Sequence, residues 1–269
     1  MRRFLVEIGR MKISVIIPYW NAKPWLERCI NSLKVQLADA EFLLINDGST
    51  DGGPDLARRI ADDRFILLEN ERAKGVSGAR NTGLIHATGD WITFLDADDE
   101  MLPGGLQAYI EVLKVYPDAR WIQLNHKRYY TAINKLVLKY TNAGGVYDLT
   151  KPPICWWGVW NKLYRADLIK DIRFDEGLQY GEDGLFNLEC WAREPRLCHG
   201  IREMAAVKHR FDNPASLSHV KTGAEILKQI HAYEAFMLRQ KDPRVRSFVC
   251  QELSRLWGSP TFERVFGNG

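Results

Sequence analysis

Four acidic residues follow directly on an apolar segment. The stretch ITFLDADDE, residues 92–100, contains four carboxylates within five positions: Asp96, Asp98, Asp99 and Glu100. Carboxylates this close repel one another unless a cation lies among them. A set of oxygen ligands suits a hard divalent ion such as Mg²⁺ or Mn²⁺. The cluster therefore predicts metal or phosphate chemistry rather than a solvated turn.

Calcium loops of the EF-hand type do not fit the acidic stretches. Counted from Asp96, such a loop would need Gly at its sixth position and Glu at its twelfth, where Met101 and Gln107 stand. The stretch NDGSTDGG at 46–53 begins like a calcium loop from its first Asp, but Arg58 occupies the twelfth position. EF-hand binding is therefore excluded at both places.

Strands and helices alternate along the first half of the chain. KISVIIP, EFLLIN, RFILLEN and DWITFLDA are short apolar runs typical of buried strands. Each is followed by a segment with helical spacing, and we predict that Asn21 caps the first of these helices, with Pro24 in its first turn. The alternation predicts an α/β fold with a mostly parallel sheet and helices on both faces.

The second half is less regular. RWIQLNHKRYY and KLVLKYT are predicted to be strands, and GEDGLFNLECWAR a helix. CWWGVWNKLYRADLI is predicted to become helical after its aromatic start. From about Thr222 onward the pattern is again helical, which predicts a main domain at 1–218, with a leader at 1–11, and a helical extension at 219–269.

Three polar clusters stand where predicted parallel strands end. They are PYWN at 18–21, NDGSTDGG at 46–53 and DADDE at 96–100. Carboxyl ends of parallel strands meet at one edge of a sheet, where ligands bind in such folds. Helix capping explains Asp51 well. Asp47 is better explained as an acceptor for a ligand donor such as a base N–H.

Composition bounds the class of protein. The 269 residues are 46% hydrophobic and 26% charged, and the formal net charge of +3 is too small to argue for nucleic-acid binding. Five cysteines without a CxxC pair indicate reduced thiols and no structural zinc site. No apolar run reaches the roughly 18–20 residues of a membrane span. We therefore expect a cytoplasmic protein.

Five motifs in register carry a family resemblance. SVIIPYWN, INDGSTDGG, GVSGARNTGL, ITFLDADDE and YGEDGLFN occur in this order between Lys12 and about Phe211. The set resembles an inverting family 2 glycosyltransferase with the GT-A fold, of the kind that builds bacterial surface polysaccharide. The resemblance implies a Rossmann-like nucleotide-binding sheet, a Mn²⁺ or Mg²⁺ cofactor and a nucleoside-diphosphate sugar as donor, with a UDP-sugar favoured. It also implies a glycan or lipid-linked acceptor.

The resemblance assigns donor-side roles to matching positions. Asp47 would bind the N3–H of the base, and Arg80 would pair with a buried acid or approach the phosphates. Asp98 would reach the metal directly, while Asp96 would contact the ribose or the metal. The nucleotide-sugar site implied by the resemblance comprises Pro18, Tyr19, Trp20, Asn21, Asp47, Arg80, Asp96, Ala97, Asp98 and Arg210.

The resemblance also places a base and two further groups. An inverting displacement needs a base that takes the proton of the acceptor hydroxyl, and Asp183 matches it, with Glu182 as second candidate. By themselves, acids at a helix start are explained by the helix dipole. His209 is a candidate metal ligand or a packed residue. An aromatic group on the acceptor side, or in the core, comprises Trp156, Trp157 and Trp160.

Two questions stay open at the level of sequence. The C-terminal helices carry an apolar stripe that fits packing on the main domain better than docking on a membrane surface: Val245, Phe248, Val249, Leu256 and Trp257. A nucleotidyltransferase acting on a sugar phosphate, or a non-catalytic sugar-nucleotide-binding relative, is the alternative function. The first would normally carry a Gly-rich basic loop after its first strand, and PYWNAKPW is not one.

Overall fold

The computed structural model describes residues 11–130, 135–139, 145–147, 158–199, 205–210 and 222–257, with the backbone alone for 128–130, 135–139, 145–147, 197–199, 205–210 and 255–257. The predicted leader therefore lies almost wholly outside the described residues, as do Trp156 and Trp157. The elements of the first half are β1 (Ile13–Tyr19), α1 (Lys23–Lys34), β2 (Ala40–Asn46), α2 (Gly53–Ile60), β3 (Phe65–Glu69), α3 (Val76–His86), β4 (Trp91–Phe94), β5 (Glu100–Met101) and α4 (Gly105–Val115).

The second half supplies shorter strands and the longest helices. Its elements are β6 (Trp121–Gln123), β7 (Asn125–Tyr130), β8 (Lys135–Lys139), β9 (Gly145–Tyr147), β10 (Lys162–Arg165), α5 (Glu182–Arg193), β11 (Leu197–His199), β12 (Ala205–Arg210), α6 (Gly223–Arg239) and α7 (Pro243–Trp257).

The main sheet has the strand order β3-β2-β1-β4-β10-β6-β11-β9. Its first four strands pair in parallel, and β10 then joins antiparallel to both of its neighbours. A second, four-stranded sheet has the order β5-β12-β7-β8. The predicted α/β class with a mostly parallel sheet is confirmed, since the parallel strands are those of the four apolar runs.

Both faces of the main sheet are covered. Along β1, Ile13, Val15 and Ile17 join one buried cluster with side chains of α1, α2 and α4. Ile16 points the other way, into a second cluster built with α3, α5, α6 and α7. A strand that is buried on both faces carries apolar residues at successive positions instead of alternating apolar and polar ones. For this reason β1 and β2 consist of nearly unbroken apolar runs.

One prediction for the second half was wrong, and a second was right about the type of element but not about its continuity. KLYR is a strand, not the start of a helix, because Leu163 enters the first cluster and Tyr164 the second, and the strand fills the gap between β4 and β6. RWIQLNHKRYY is two strands, which separate at Leu124 and belong to different sheets. Burial in the sheet overrides local propensity in such short segments.

The start of α1 also differs from the prediction. Asn21 adopts a left-handed backbone conformation with φ of 46°, and Ala22 is the residue before the helix. The carboxylate of Asp51, from the loop after β2, accepts the backbone N–H of Lys23 at 2.7 Å. A residue of the next loop thus caps α1 in place of Asn21.

The C-terminal helices pack on the main domain. Of the predicted apolar stripe, Val245, Phe248 and Val249 are buried in the second cluster, and the Phe248 ring lies 4.9 Å from that of Trp191. The preferred prediction is therefore confirmed for these three residues, which are not available to a membrane surface. Among the described residues no helix combines the length and the apolar character that crossing a bilayer requires.

Glu41 lies near the start of β2 and links this strand to the segments beside it. Its carboxylate accepts hydrogen bonds from Lys12, Ser14 and Thr88. Burial alone would raise its pKa, but these hydrogen bonds outweigh burial and lower the pKa of Glu41 from 4.5 to about 2. Because the folded pKa is depressed, this stabilisation is complete above pH 4.5 and is lost as the pH falls toward 2.

We expect Glu41→Gln to lower the free energy of unfolding by about 2–3 kcal/mol at pH 7. The difference from wild type shrinks when urea unfolding is measured at pH 4 and then at pH 3. Glu111→Gln is the control, since Glu111 is partly exposed and its carboxylate pairs with the exposed Gln107 and Lys114 of α4, and it should change stability by less than about 0.5 kcal/mol. A Glu41→Gln loss that does not vary with pH would contradict the assignment.

Candidate functional site

The three polar clusters meet at one edge of the main sheet, as predicted. They follow β1, β2 and β4, which are adjacent parallel strands. The first two loops are tied together: the backbone N–H of Asn21 donates to Ser49 at 3.0 Å, and its side chain accepts from the N–H of Thr50 at 2.9 Å. Asn21 therefore shapes this edge of the sheet.

Asp47 anchors the start of α3. Its backbone N–H donates to the carbonyl of Tyr19, and its two carboxylate oxygens accept from Asn70 at 2.7 Å and from the N–H of Gly75 at 2.8 Å. Gly75 directly precedes α3, so the carboxylate sits at the positive end of that helix. This arrangement fixes the orientation of Asp47 at the carboxyl end of β2.

Pro18, Tyr19 and Trp20, at the end of β1 and just after it, differ in accessibility. Pro18 and Tyr19 are buried, and burial raises the pKa of the Tyr19 phenol to about 12. Trp20 is 55% exposed, and the ammonium of Lys74 lies 5.7 Å from its ring centre. Of the rings predicted to line a base pocket, Trp20 is the one that presents a face to a ligand.

The acid cluster after β4 forms a tight turn. The N–H of Asp99 bonds the carbonyl of Asp96 at 2.9 Å, which turns Asp99 into the protein, where it is fully buried. Ala97 is also buried, whereas Asp96 and Asp98 are partly exposed. The turn thus separates the four carboxylates and leaves those of Asp96 and Asp98 toward solvent.

The side chain of Arg28 stabilises this turn. The guanidinium of Arg28, on α1, donates to the carbonyl of Asp98 at 2.9 Å and lies 3.6 Å from the carboxylate of Glu100. Its positive charge offsets the repulsion among the acids. No local sequence pattern singles out Arg28, because it lies 70 residues before Asp98 in an ordinary amphipathic helix.

Arg80 connects the acid turn to the candidate base. Its buried guanidinium donates to Asp183 at 2.7 Å, to Glu182 at 3.3 Å and to Asp96 at 3.0 Å. The predicted pairing of Arg80 with a buried acid is therefore confirmed, with acids from both sides of the site. Asp96 and Asp183 share one guanidinium although 87 positions separate them in sequence (183 − 96).

The two acids of GED begin helix α5, as predicted. Gly181 precedes the helix with φ of 84°, a left-handed conformation that favours glycine. Glu182 and Asp183 then occupy the first turn, where the helix dipole favours negative charge. The second oxygen of Asp183 also accepts the N–H of Val159 at 3.4 Å.

Burial weakens the acidity of both carboxyls. It raises the pKa of Asp183 above its ordinary value, although Arg80 opposes the shift. Burial and the neighbouring charge of Asp183 raise the pKa of Glu182 to about 7. Both side chains keep some contact with solvent, 13% for Glu182 and 18% for Asp183. A partly exposed carboxylate with a raised pKa is a suitable proton acceptor near neutral pH.

Asn81 positions a loop that sequence reasoning left without a role. Its amide donates to the carbonyl of Phe174 and accepts the N–H of the same residue, both at 2.9 Å. It also donates to Glu176, which forms an ion pair with Arg72. The loop at 173–178 is thereby held beside Arg80, whose guanidinium lies 5.2 Å from the centre of the Phe174 ring.

The remaining predicted residues are placed only in part. Trp160 is half-buried and its ring lies 4.6 Å from that of His126, so it packs at the edge of the core. His209 and Arg210 lie on β12, whose backbone pairs antiparallel with β5 and sets Lys208 opposite Glu100. This register brings the end of β12 to the acid turn. The side chains of His209 and Arg210 are outside the described residues.

The residues at 11–127, 158–196 and 222–254, whose side chains are described, do not form a complete metal site. No group of three or more His, Cys, Asp or Glu in the described part of the chain is placed to hold an ion. Asp96 and Asp98 nevertheless offer the partly exposed oxygen donors that Mg²⁺ and Mn²⁺ prefer.

A comparison with protein families decides the assignment. The glycosyl transferase family 2 model matches residues 14–169, more than half of the chain. The chain belongs to this family. The matched range contains the acid turn and Arg80, whereas α5, with Glu182 and Asp183, follows it.

Curated relatives point the same way. The chain is 28% identical to glycosyltransferase GlyA of Streptococcus pneumoniae over 78% of its own length and 32% of that protein. It is 31% identical to the uncharacterized glycosyltransferase EpsJ of Bacillus subtilis over 69% of its length and 57% of the relative. The chain thus spans about a third to just over half of these proteins.

Solved structures show the fold. The structure of S. aureus TarS in complex with UDP-GlcNAc superposes with a TM-score of 0.78 at 19% identity, over 92% of this chain and 72% of the other. The match confirms the predicted GT-A fold with C-terminal helices. At this level of identity the likeness concerns the fold alone.

Proposed function

We propose that the protein is a metal-dependent inverting glycosyltransferase that moves a sugar from a UDP-sugar to a hydroxyl of a glycan or lipid-linked acceptor. The observation that carries the proposal is the guanidinium of Arg80, which contacts Asp96 of the acid turn and Asp183 at the start of α5. The buried guanidinium of Arg80 thereby holds Asp96, on the donor side, close to Asp183, which would activate the acceptor.

The donor side is built from the loops after β1, β2 and β4. Trp20 offers an exposed ring for stacking on a base, and Asp47 is an oriented acceptor for the N3–H of uracil. The name of WfgD of Escherichia coli, which is 39% identical over 38% of this chain, gives UDP-Glc as its donor, and this supports a uridine nucleotide. Pro18, Tyr19, Asn21 and Ala97 shape this site from behind.

A divalent cation fits the acid turn. Asp96 and Asp98 would hold Mn²⁺ or Mg²⁺ together with the diphosphate, and His209 is a further candidate ligand on the adjoining strand β12. When bound, the ion neutralises the charge that develops on the departing nucleoside diphosphate. Arg210, next along the same strand, is proposed to contact the phosphates.

The reaction proper needs a proton acceptor on the far side of the sugar ring. Asp183 takes the proton of the acceptor hydroxyl as the oxygen attacks the anomeric carbon and the bond to the diphosphate breaks. Attack from the face opposite the leaving group inverts the anomeric configuration. Arg80 keeps Asp183 oriented throughout, because it bonds one carboxylate oxygen at 2.7 Å.

The acceptor proposal rests on the relatives. WfgD of Escherichia coli, 39% identical over 38% of this chain, is named as a glucosyltransferase acting on a diphosphoundecaprenol-linked sugar, and a Campylobacter jejuni relative carries a similar name. A lipid-linked or growing surface glycan is the corresponding acceptor here, including lipopolysaccharide precursors. We place this transfer in the cytoplasm at the inner face of the membrane. The acceptor-side role of Trp156 and Trp157, which lie outside the described residues, stays a prediction, whereas Trp160 packs at the edge of the core.

The donor and the metal can be tested without knowing the acceptor. UDP release is measured for a panel of UDP-sugars with Mn²⁺ and with EDTA, since slow transfer to water needs no acceptor. We expect release with one or two donors, dependent on metal, and a loss of roughly 100-fold or more in Asp98→Asn.

Asp118→Asn is the matched control, because Asp118 is an exposed acid after α4, away from the acid turn. It should keep wild-type release. Metal-independent release, or equal release by Asp98→Asn, would contradict the role of the acid turn. Formation of UMP and a sugar phosphate would favour the alternative of a nucleotidyltransferase, and binding without turnover would favour a non-catalytic relative.

A further inference from the structure

Helix α6 contacts the turn that precedes the candidate base. The hydroxyl of the buried Tyr233 donates to the carbonyl of Gly181 at 3.1 Å. The same carbonyl accepts the N–H of Leu185 at 3.0 Å, which is the first hydrogen bond of helix α5. A residue of the C-terminal extension therefore binds the carbonyl from which the helix carrying Glu182 and Asp183 begins.

Gln229 closes the space above the same glycine. A Cβ placed on Gly181 would come within 2.6 Å of the Cγ of Gln229, so a larger residue fits only if the Gln229 side chain or α6 moves. Gln229 is fully buried and lies one turn before Tyr233 on α6. The left-handed turn at Gly181 is thus held by a hydrogen bond from one residue and by contact with the other.

The charge environment agrees with this contact. Burial, together with the nearby carboxylate of Glu182, raises the pKa of Tyr233 well above its ordinary value. The phenol therefore stays protonated and remains a hydrogen-bond donor across the working pH range.

Helix α6 is itself firmly held. Its start carries a capping box between Thr222 and Glu225, and Ile226, Ile230 and Phe236 are buried in the second core cluster. Capping boxes and buried faces of this kind fix a helix in one position. The extension can therefore act as a rigid support for the turn at Gly181.

We propose that Tyr233 and Gln229 are positioning residues for the base, so that the C-terminal extension is part of the catalytic apparatus. The proposal rests on the proposed function, in which Asp183 takes the acceptor proton. Through Gly181 the two residues set the start of α5 and hence the place of the Asp183 carboxylate relative to Arg80 and the sugar. Small displacements of a catalytic group lower turnover strongly while leaving donor binding intact.

The test compares Tyr233→Phe with Phe236→Leu in the full chain. Tyr233→Phe removes only the hydroxyl that binds Gly181, whereas Phe236→Leu loosens the same helix without touching the turn. UDP release from the UDP-sugar that wild type uses best is measured as kcat, together with the Kd of UDP, the Tm and the hydrogen exchange of amides 182–186. We expect kcat to fall about 10-fold in Tyr233→Phe, with faster exchange at these amides and an unchanged Kd for UDP.

The outcomes are separable. Phe236→Leu, even with an equal or lower Tm, should keep kcat within about twofold of wild type. A Tyr233→Phe enzyme with wild-type kcat overturns the proposal, whether or not the exchange changes. So does an equal loss of kcat in both variants, because the effect is then one of general stability. If Asp183→Asn in the same assay retains full kcat, the proposed function fails at its base, and the positioning role falls with it.

Discussion

Replacing Asp183 by Asn is expected to lower the kcat of sugar transfer by about 10²- to 10⁴-fold, the usual contribution of a general base. Asparagine keeps the shape of the side chain and a hydrogen-bond acceptor for Arg80, which bonds the carboxylate at 2.7 Å. It cannot take up a proton. Binding of UDP, measured by calorimetry, should stay within a few-fold of wild type, because Asp183 lies on the opposite side of Arg80 from Asp96 and the donor loops.

The pH dependence distinguishes the two neighbouring acids. Burial raises the pKa of Asp183, and it raises that of Glu182 to about 7 together with the charge of Asp183. A base works only when deprotonated, so kcat should be low in acid and rise with pH through an apparent pKa above that of an ordinary carboxyl. Because the two groups titrate as a pair, Glu182→Gln should move this limb to lower pH and leave a working enzyme.

Glu189→Gln is the control on the same helix. Glu189 pairs with the exposed Arg239 and lies two turns from the base, so its variant should match wild type in kcat and in pH profile. If Asp183→Asn were fully active while Glu182→Gln lost kcat, the base would be Glu182. If both variants kept wild-type kcat, the start of α5 would have no part in proton transfer.

Replacing Arg80 by Lys is expected to abolish measurable transfer and to destabilise the protein. The planar guanidinium donates from one nitrogen to Asp183 and Glu182 and from another to Asp96, and a single ammonium group cannot reach both directions. Leaving buried carboxylates without their cation costs about 3 kcal/mol, the lower end of the usual range since the acids keep 13–28% exposure. Urea unfolding at pH 8, where the carboxyls are ionised, measures this loss.

Arg120→Lys provides the comparison for the charge-conserving change. Arg120 pairs with the exposed Asp167 on the surface, and its replacement should alter stability by less than about 0.5 kcal/mol. The destabilisation in Arg80→Lys should become smaller at pH 5, because the raised pKa of Glu182, about 7, leaves that carboxyl protonated there and in no need of a cation. An Arg80→Lys protein with wild-type stability and transfer would show that the guanidinium does not organise the site.

Much of the donor side could be predicted from local sequence. Strands β1, β2 and β4 are apolar runs that end in polar clusters, and parallel pairing brings such ends together whatever lies between them. Asp47, Asp96 and Asp98 are therefore placed by topology. The glycine and the two acids of GED carried a helix-start signal that the structure bears out.

The rest depends on contacts between distant parts of the chain. No local sequence pattern predicts that Arg80 contacts Asp183 or that Arg28 contacts the acid turn. Both contacts form because helices that are distant in sequence pack on the same sheet. KLYR is too short for its period to separate strand from helix. Tyr233 and Gly181 lie 52 positions apart, and their contact follows from how α6 packs.

The central claim is that sugar is transferred by direct attack at the anomeric carbon, with Asp183 as base. Its most direct test is identification, by chromatography and proton NMR, of the products that wild type and Asp183→Asn form from the UDP-sugar consumed fastest. The account predicts UDP and a sugar of inverted anomeric configuration from wild type, and neither from Asp183→Asn at a comparable rate. UMP with a sugar phosphate, a sugar of retained configuration, or equal product formation by Asp183→Asn would contradict it.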